Sequence, residues 1–187
     1  MGKSGWRDTL VRQYASFTKA KQSSVRIGLP LFFTGRCSLA VIIRPAKQED
    51  QKTIVDFIRQ ARINSRNLHW EHFLVAEEDG QVVGIRQVRI HSKGTREVGS
   101  GFVLSEHRHK GISAQLMNEI LSREKGTVYL MCRDKWIPYY EQFGFRQAAL
   151  NSLPADFLKE YRIGRFITSL ISVFRKDKIR ILPMKRD

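Results

Sequence analysis

Two apolar runs, FLVAEE at 73–78 and QVVGIRQVRIH at 81–91, are separated only by Asp79 and Gly80. The tight turn that joins antiparallel strands needs positive φ at its two central positions, which Gly adopts freely and Asp tolerates. The spacing therefore predicts a hairpin, and whatever the chain builds must be built on a sheet containing it.

Strand-like and helix-like blocks alternate around that hairpin. VIIR at 41–44 reads as a short strand, and after Pro45 the residues Ile54, Ile58 and Ala61 share one helix face. REVGSGFVL at 96–104 predicts a strand whose glycines allow a bulge or a close backbone approach. Ile112, Leu116, Met117, Ile120 and Leu121 then repeat as one buried helix face, and TVYLMC at 127–132 is the next strand. DKWIPYYEQFGF reads as a short helix that tolerates Pro138 only in its first turn and ends at Gly144, before a strand from Phe145. A long amphipathic helix is expected from Pro154 to Phe174. It gathers Ile163, Phe166, Ile167, Leu170, Ile171 and Phe174 on one face and is expected to pack on the domain, with the basic run RKDK behind it. KIRILPMK closes the chain as a strand, which Pro183 places at a sheet edge.

The 187 residues fit one domain, with 42% hydrophobic content for its core. Residues 1–40 differ in kind, with seven Lys or Arg against the single acid Asp8 and with Trp6, Leu10, Tyr14 and Phe17 at near-helical spacing. The expected organisation is a basic arm at 1–40 and a folded domain at 41–187. Two readings of the arm stand side by side: an organellar transit peptide, or a basic segment packed on or trailing from the domain. The net charge of +15 favours acidic or anionic partners: nucleic acid, anionic lipid, acidic polypeptides or phosphate-bearing cofactors. Cys37 and Cys132 form no CxxC pattern, which fits a reducing compartment. Arg36 splits the longest apolar run, so no transmembrane segment is expected. The expected location is a bacterial cytoplasm, or a plastid interior if the arm is a transit peptide.

Between the strand at 96–104 and the helix that follows lies the basic turn EHRHKG, 106–111. A helix start presents unpaired N–H groups and the positive end of the helix dipole, and Gly111 lets an anion approach the backbone, so the turn suits phosphate. Here the chain from about Val41 onward resembles the GNAT superfamily of N-acetyltransferases. That family's phosphate-loop pattern, Q/R-x-x-G-x-G/A, reads Arg108-His109-Lys110-Gly111-Ile112-Ser113. Its second signature, an aromatic followed by Tyr-Glu-x-x-Gly-Phe, reads Tyr139-Tyr140-Glu141-Gln142-Phe143-Gly144-Phe145.

The resemblance implies an α/β fold with a mixed, mostly antiparallel sheet flanked by helices, with the 154–174 helix as an insertion before the last strand; packing on the domain is its default reading, and lining the acceptor groove, covering a sheet edge or lying on a membrane surface are the others. It implies acetyl-coenzyme A as co-substrate, with its pyrophosphate on the backbone of Arg108, His109, Lys110, Gly111, Ile112 and Ser113. The strand at Val103 and Leu104 would bond the pantetheine, the Val103 N–H serving as oxyanion donor. Tyr140 is the implied general acid and Glu97 the implied general base. Packing and surface ion pairing are the plain structural alternatives for these two. Three positions depart from the family: Ser113 stands for Gly or Ala, and Arg133 and Trp136 stand where many members have Asn and Ala.

The implied function is direct acetyl transfer to a primary amine on a small molecule, a protein N-terminus or a lysine. The alternative is a non-catalytic basic module on the same scaffold that binds RNA or an anionic surface. No RNA-binding motif with stacking aromatics accompanies the charge. HWEH (69–72) and HRH (107–109) lack the Cys partners of a zinc site, and no metal is expected. Trp70 and Phe73 are expected in the core. The oligomeric state is left as monomer or homodimer.

Overall fold

The computed structural model describes residues 40–63, 66–173 (side chains to 170) and 180–187. The first 39 residues of the basic arm, with Trp6, Leu10, Tyr14, Phe17 and Cys37, lie outside them. So do Phe174 and the RKDK run.

Asp79 and Gly80 have φ of 53° and 76° and turn β2 (Phe73–Glu78) into β3 (Gln81–Ile90) as the sequence requires. β1 (Ile42–Pro45) and β4 (Arg96–Val103) extend the sheet antiparallel on either side. β5 (Val128–Arg133) joins β4 in parallel, and β7 (Ile181–Arg186) lies antiparallel between β5 and the two-residue β6 (Arg146–Gln147). The seven-stranded order is β1-β2-β3-β4-β5-β7-β6. One parallel pair among antiparallel neighbours gives the mixed, mostly antiparallel sheet of the expected α/β class.

Alternation along β2 sends Leu74 and Ala76 to one face and Phe73 and Val75 to the other, so each face carries a core. On the first, helix α2 (Ile112–Arg123) buries Ile112, Leu116, Met117, Ile120 and Leu121 against Val88, Val98, Val128 and Leu130. Full burial of each such side chain is worth about 1.5–3 kcal/mol. On the second, α1 (Gln51–Ala61) sets Ile54, Phe57 and Ile58 against Phe73, Val75 and Ile85, with Trp70 partly buried beside them. The short α3 (Ile137–Glu141) carries Pro138 in its first turn, and α4 (Ala155–Val173) is the insertion before β7.

Two expectations need correction. Pro183 does not mark an edge, because β7 is interior. Its carbonyl accepts from Ala148 N–H just past the end of β6, so the proline nitrogen also faces the side where β6 has run out. No ladder bond to β5 is lost. In α4 the packed face is Phe157 and Tyr161, with Gly164 close to Ile181 and Met131, whereas Phe166, Ile167 and Leu170 are exposed.

Candidate functional site

The site begins with an irregularity in β4. Phe102 is opposite Ile85 and Gly99 opposite Gln87, so β4 holds one residue more than β3, and Ser100 takes a φ of 47° there. Such a bulge bends its strand and increases the local twist. Past it, β4 and β5 part: their last paired residues are Val98 and Leu130, while β5 continues to Arg133 against β7 and β4 continues to Val103 against β3. The result is a wedge whose β4 wall is backbone without a strand partner. Leu104 turns its N–H to Val83 O, and its carbonyl accepts from His107 N–H, so both its backbone groups are engaged. The Val103 N–H, one residue earlier on the ladder, faces the wedge, and the Val103 carbonyl takes a bond from Arg108 Nε at 3.0 Å.

The N-terminus of α2 opens onto the same wedge. Gly111, at φ 77°, is the N-cap; no side chain caps the helix, and no acidic residue sits in its first turn. Among the described residues no backbone carbonyl accepts from His109, Lys110 or Gly111 N–H, and the first helical N–H groups, those of Ile112 and Ser113, have no intrahelical partner by construction. These uncapped donors fit a phosphate. The side chains of the loop are used otherwise. Arg108 lies back over the Phe102 ring, and His107 Nδ1 and Lys110 Nζ approach Glu78 Oε2 at 2.5 and 3.5 Å.

Ser113, the residue that departs from the loop pattern, is tied on two sides. Arg86 Nη2 donates to its Oγ at 2.9 Å, and the Tyr139 hydroxyl lies 2.8 Å from the same atom. Arg86 is 4% exposed, its Nε has no hydrogen-bond partner among the described residues, and its guanidinium fills the space above Gly101, where a Cβ would come within 2.7 Å of Nη2. A buried cation thus lies between the bulge of β4 and the start of α2. Nothing in an alternating strand sequence distinguishes this arginine beforehand.

On the other face of the sheet the bulge is held by polar side chains. Ser100 Oγ accepts from Arg89 Nη2 at 2.6 Å and donates to Gln87 Oε1 at 2.9 Å, and Gln87 Nε2 donates to the carbonyl of Asn67. Glu97 stands one residue before the wedge, buried, with Oε2 2.9 Å from His91 Nε2 and Oε1 3.7 Å from Arg89 Nη1. Beside it, α4 supplies Phe157, whose ring meets those of His91 and Tyr129, and Asp156, which accepts from Lys93 N–H and Thr95 Oγ1. Arg66 joins the loop after α1 to Glu160 of α4 at 2.8 Å.

Of the two α3 tyrosines, Tyr140 packs its ring against Phe145 and the α2-side core, and its hydroxyl has no partner among the described residues. Tyr139 is the one bonded to Ser113. Trp136 is half-exposed beneath Lys135, and burial, with Asp134 nearby, pushes the Cys132 thiol up to about 11. No group of three His, Cys, Asp or Glu among the described residues could hold a metal.

Residues 69–147, which contain β2 to β6 and the wedge, match the family model of the acetyltransferase (GNAT) domain. Over that stretch the chain is similar to the GNAT acetyltransferase domain. No curated protein matches its sequence. Among solved structures of this fold, N-acetylglutamate synthase from Neisseria gonorrhoeae, complexed with coenzyme A and N-acetyl-glutamate, is 19% identical with a TM-score of 0.63. The alignment covers 79% of this chain and only 35% of the synthase, so the likeness is to a part of that enzyme. A GNAT-family acetyltransferase from Staphylococcus aureus is 17% identical (TM-score 0.56; 79% of this chain, 98% of that one). Arabidopsis thaliana Naa50, in complex with the bisubstrate analogue CoA-Ac-MVNAL, is 14% identical (TM-score 0.53; 80% and 99%).

Proposed function

We propose that the protein transfers the acetyl group of acetyl-coenzyme A to a primary amine, without a covalent enzyme intermediate. The observation that carries this reading is the wedge between β4 and β5 with the uncapped N-terminus of α2 at its mouth. Acetyl-coenzyme A, when bound, supplies the activated acetyl thioester. The N–H groups from His109 to Ser113 hold its pyrophosphate, and the Arg86 guanidinium adds a positive charge behind them that water does not screen. The Val103 N–H donates to the carbonyl oxygen on which negative charge grows.

Tyr140 is assigned the proton donor for the departing sulfur, because its hydroxyl is uncommitted while that of Tyr139 is engaged. Glu97, hydrogen-bonded to His91, is assigned the proton acceptor for the amine, either directly or through the imidazole. Fold relatives crystallised with N-acetyl-glutamate and with a peptide-like bisubstrate analogue support an amine acceptor, small or polypeptide.

The test is calorimetric titration of the full chain with acetyl-coenzyme A, followed by thiol-release assays over amino acids, polyamines and peptide N-termini. Saturable micromolar binding with amine-dependent thiol release is the expected result. A folded protein that binds no acetyl-coenzyme A overturns the reading.

A further inference from the structure

Helix α4 is built the wrong way round for an ordinary surface helix. It docks through Phe157 (0% exposed) and Tyr161 (3%), lets Gly164 approach Ile181, and bonds the Tyr161 hydroxyl to Ile181 O. Its large aliphatic residues are elsewhere on the cylinder. Ile163, Phe166, Ile167 and Leu170 follow i, i+3, i+4, i+7 spacing and form one stripe, roughly a third of a turn away from the packed face. Phe166 is 69% exposed, Leu170 57% and Ile167 48%, and no other described helix leaves such a stripe in solvent.

The rim of the stripe is basic. Lys159 and Arg162, each four residues before a member of the stripe, are exposed beside it, Arg165 is exposed on the adjoining flank, and Glu160, the acid among them, is taken by Arg66. A partner must therefore be apolar where it meets the stripe and anionic around it. A second copy would bring the same basic rim on a chain of net charge +15, and residues 1–39 carry seven basic residues against one acid, so both are repelled by the rim. An anionic bilayer surface meets both demands at once, since apolar side chains enter the acyl boundary while Lys and Arg reach the headgroups. No described helix is long and apolar enough to span, so contact would be in the plane of the interface.

We infer that the outer half of α4, residues 159–170, docks the protein on an anionic lipid surface. This goes beyond the acetyltransferase reading and does not depend on it. Co-sedimentation of the full chain with phosphatidylcholine vesicles, with and without phosphatidylglycerol, tests it. Binding to the phosphatidylglycerol vesicles is expected to fall at least about tenfold in the Phe166→Ser/Leu170→Ser variant. Arg162→Gln/Arg165→Gln should likewise weaken it and leave less salt dependence. Both pairs are exposed, and unchanged circular dichroism and thermal midpoint confirm that the variants fold. Three results each overturn the inference: wild-type protein that ignores anionic vesicles; a Phe166→Ser/Leu170→Ser variant that binds them as wild type does; or a wild-type dimer that this variant dissociates.

Discussion

Arg86 Nη2 lies 2.9 Å from Ser113 Oγ, and that is the guanidinium's one hydrogen bond among the described residues although Arg86 is 4% exposed. A buried cation without a carboxylate costs stability, so its presence at the mouth of the wedge calls for a functional return. Arg86→Met keeps the volume and removes the charge. It is expected to leave the thermal midpoint unchanged or raised while weakening acetyl-coenzyme A about tenfold, equivalent to about 1.4 kcal/mol. Ser113→Ala should behave differently, losing about 2 kcal/mol of stability as a bond from a charged donor disappears. Calorimetric Kd and thermal midpoint for the two variants separate the roles. An Arg86→Met protein with wild-type affinity makes the cation purely structural.

The adjacent tyrosines of α3 are separable by the same logic. The Tyr140 hydroxyl is uncommitted and the Tyr139 hydroxyl is bonded to Ser113. Tyr140→Phe is expected to lower kcat about a hundredfold with the Kd for acetyl-coenzyme A retained. Tyr139→Phe should shift stability and affinity by a few-fold and keep kcat. Steady-state kinetics alongside titration distinguishes them, and full turnover in Tyr140→Phe removes the assigned acid.

Glu97 has both carboxylate oxygens engaged, His91 Nε2 2.9 Å from one and the Arg89 guanidinium, through Nη1, 3.7 Å from the other. Glu97→Gln has two separable consequences. Removing one partner of a buried ion pair destabilises by about 3 kcal/mol, read from a denaturant midpoint. If Glu97 also accepts the amine proton, the rising limb of the kcat/KM profile moves to higher pH in the variant, because the amine must then lose its proton to solvent. A destabilised variant with an unmoved limb leaves Glu97 as scaffold for His91 and Arg89.

What the sequence made legible follows from the range of the interactions involved. The β2–β3 hairpin and the buried face of α2 rest on neighbours within a few residues, and both are where periodicity placed them. The loop at 108–113 was readable because a glycine and bases before a helix are a local pattern. Arg86, Arg89 and His91 read only as polar positions on a strand. Their meaning comes from the bulge at Ser100, a register shift between β3 and β4 that no local pattern encodes. Pro183 misled for a similar reason, since the insertion of β7 between β5 and β6 is decided by partners about 40 and 50 residues away in the chain. In α4 the apolar stripe was visible, but periodicity alone cannot say which side of a helix the sheet will meet.

Asp156 fastens α4 to the turn between β3 and β4, and the fastening should be pH-dependent. Its Oδ2 accepts from Lys93 N–H at 2.8 Å, and its Oδ1 accepts from Thr95 Oγ1 at 2.6 Å and from its helical neighbour Phe157 N–H at 3.0 Å. Burial pushes the carboxyl upward, but the bonds from Thr95 and Lys93 outweigh it and hold the group below the usual carboxylate range. A depressed folded-state pKa means that the ionised group contributes stability above its unfolded value, about 3.9, and that this contribution is lost as pH falls through the folded value. Asp156→Asn keeps the shape and removes the charge. At neutral pH it is expected to be about 2 kcal/mol less stable than wild type. The difference should close as both proteins are titrated below pH of about 4, because protonated Asp156 then differs little from Asn. Denaturant midpoints of the two proteins measured across acid pH check the argument. A gap that persists undiminished in acid would mean that shape, not charge, fastens the helix.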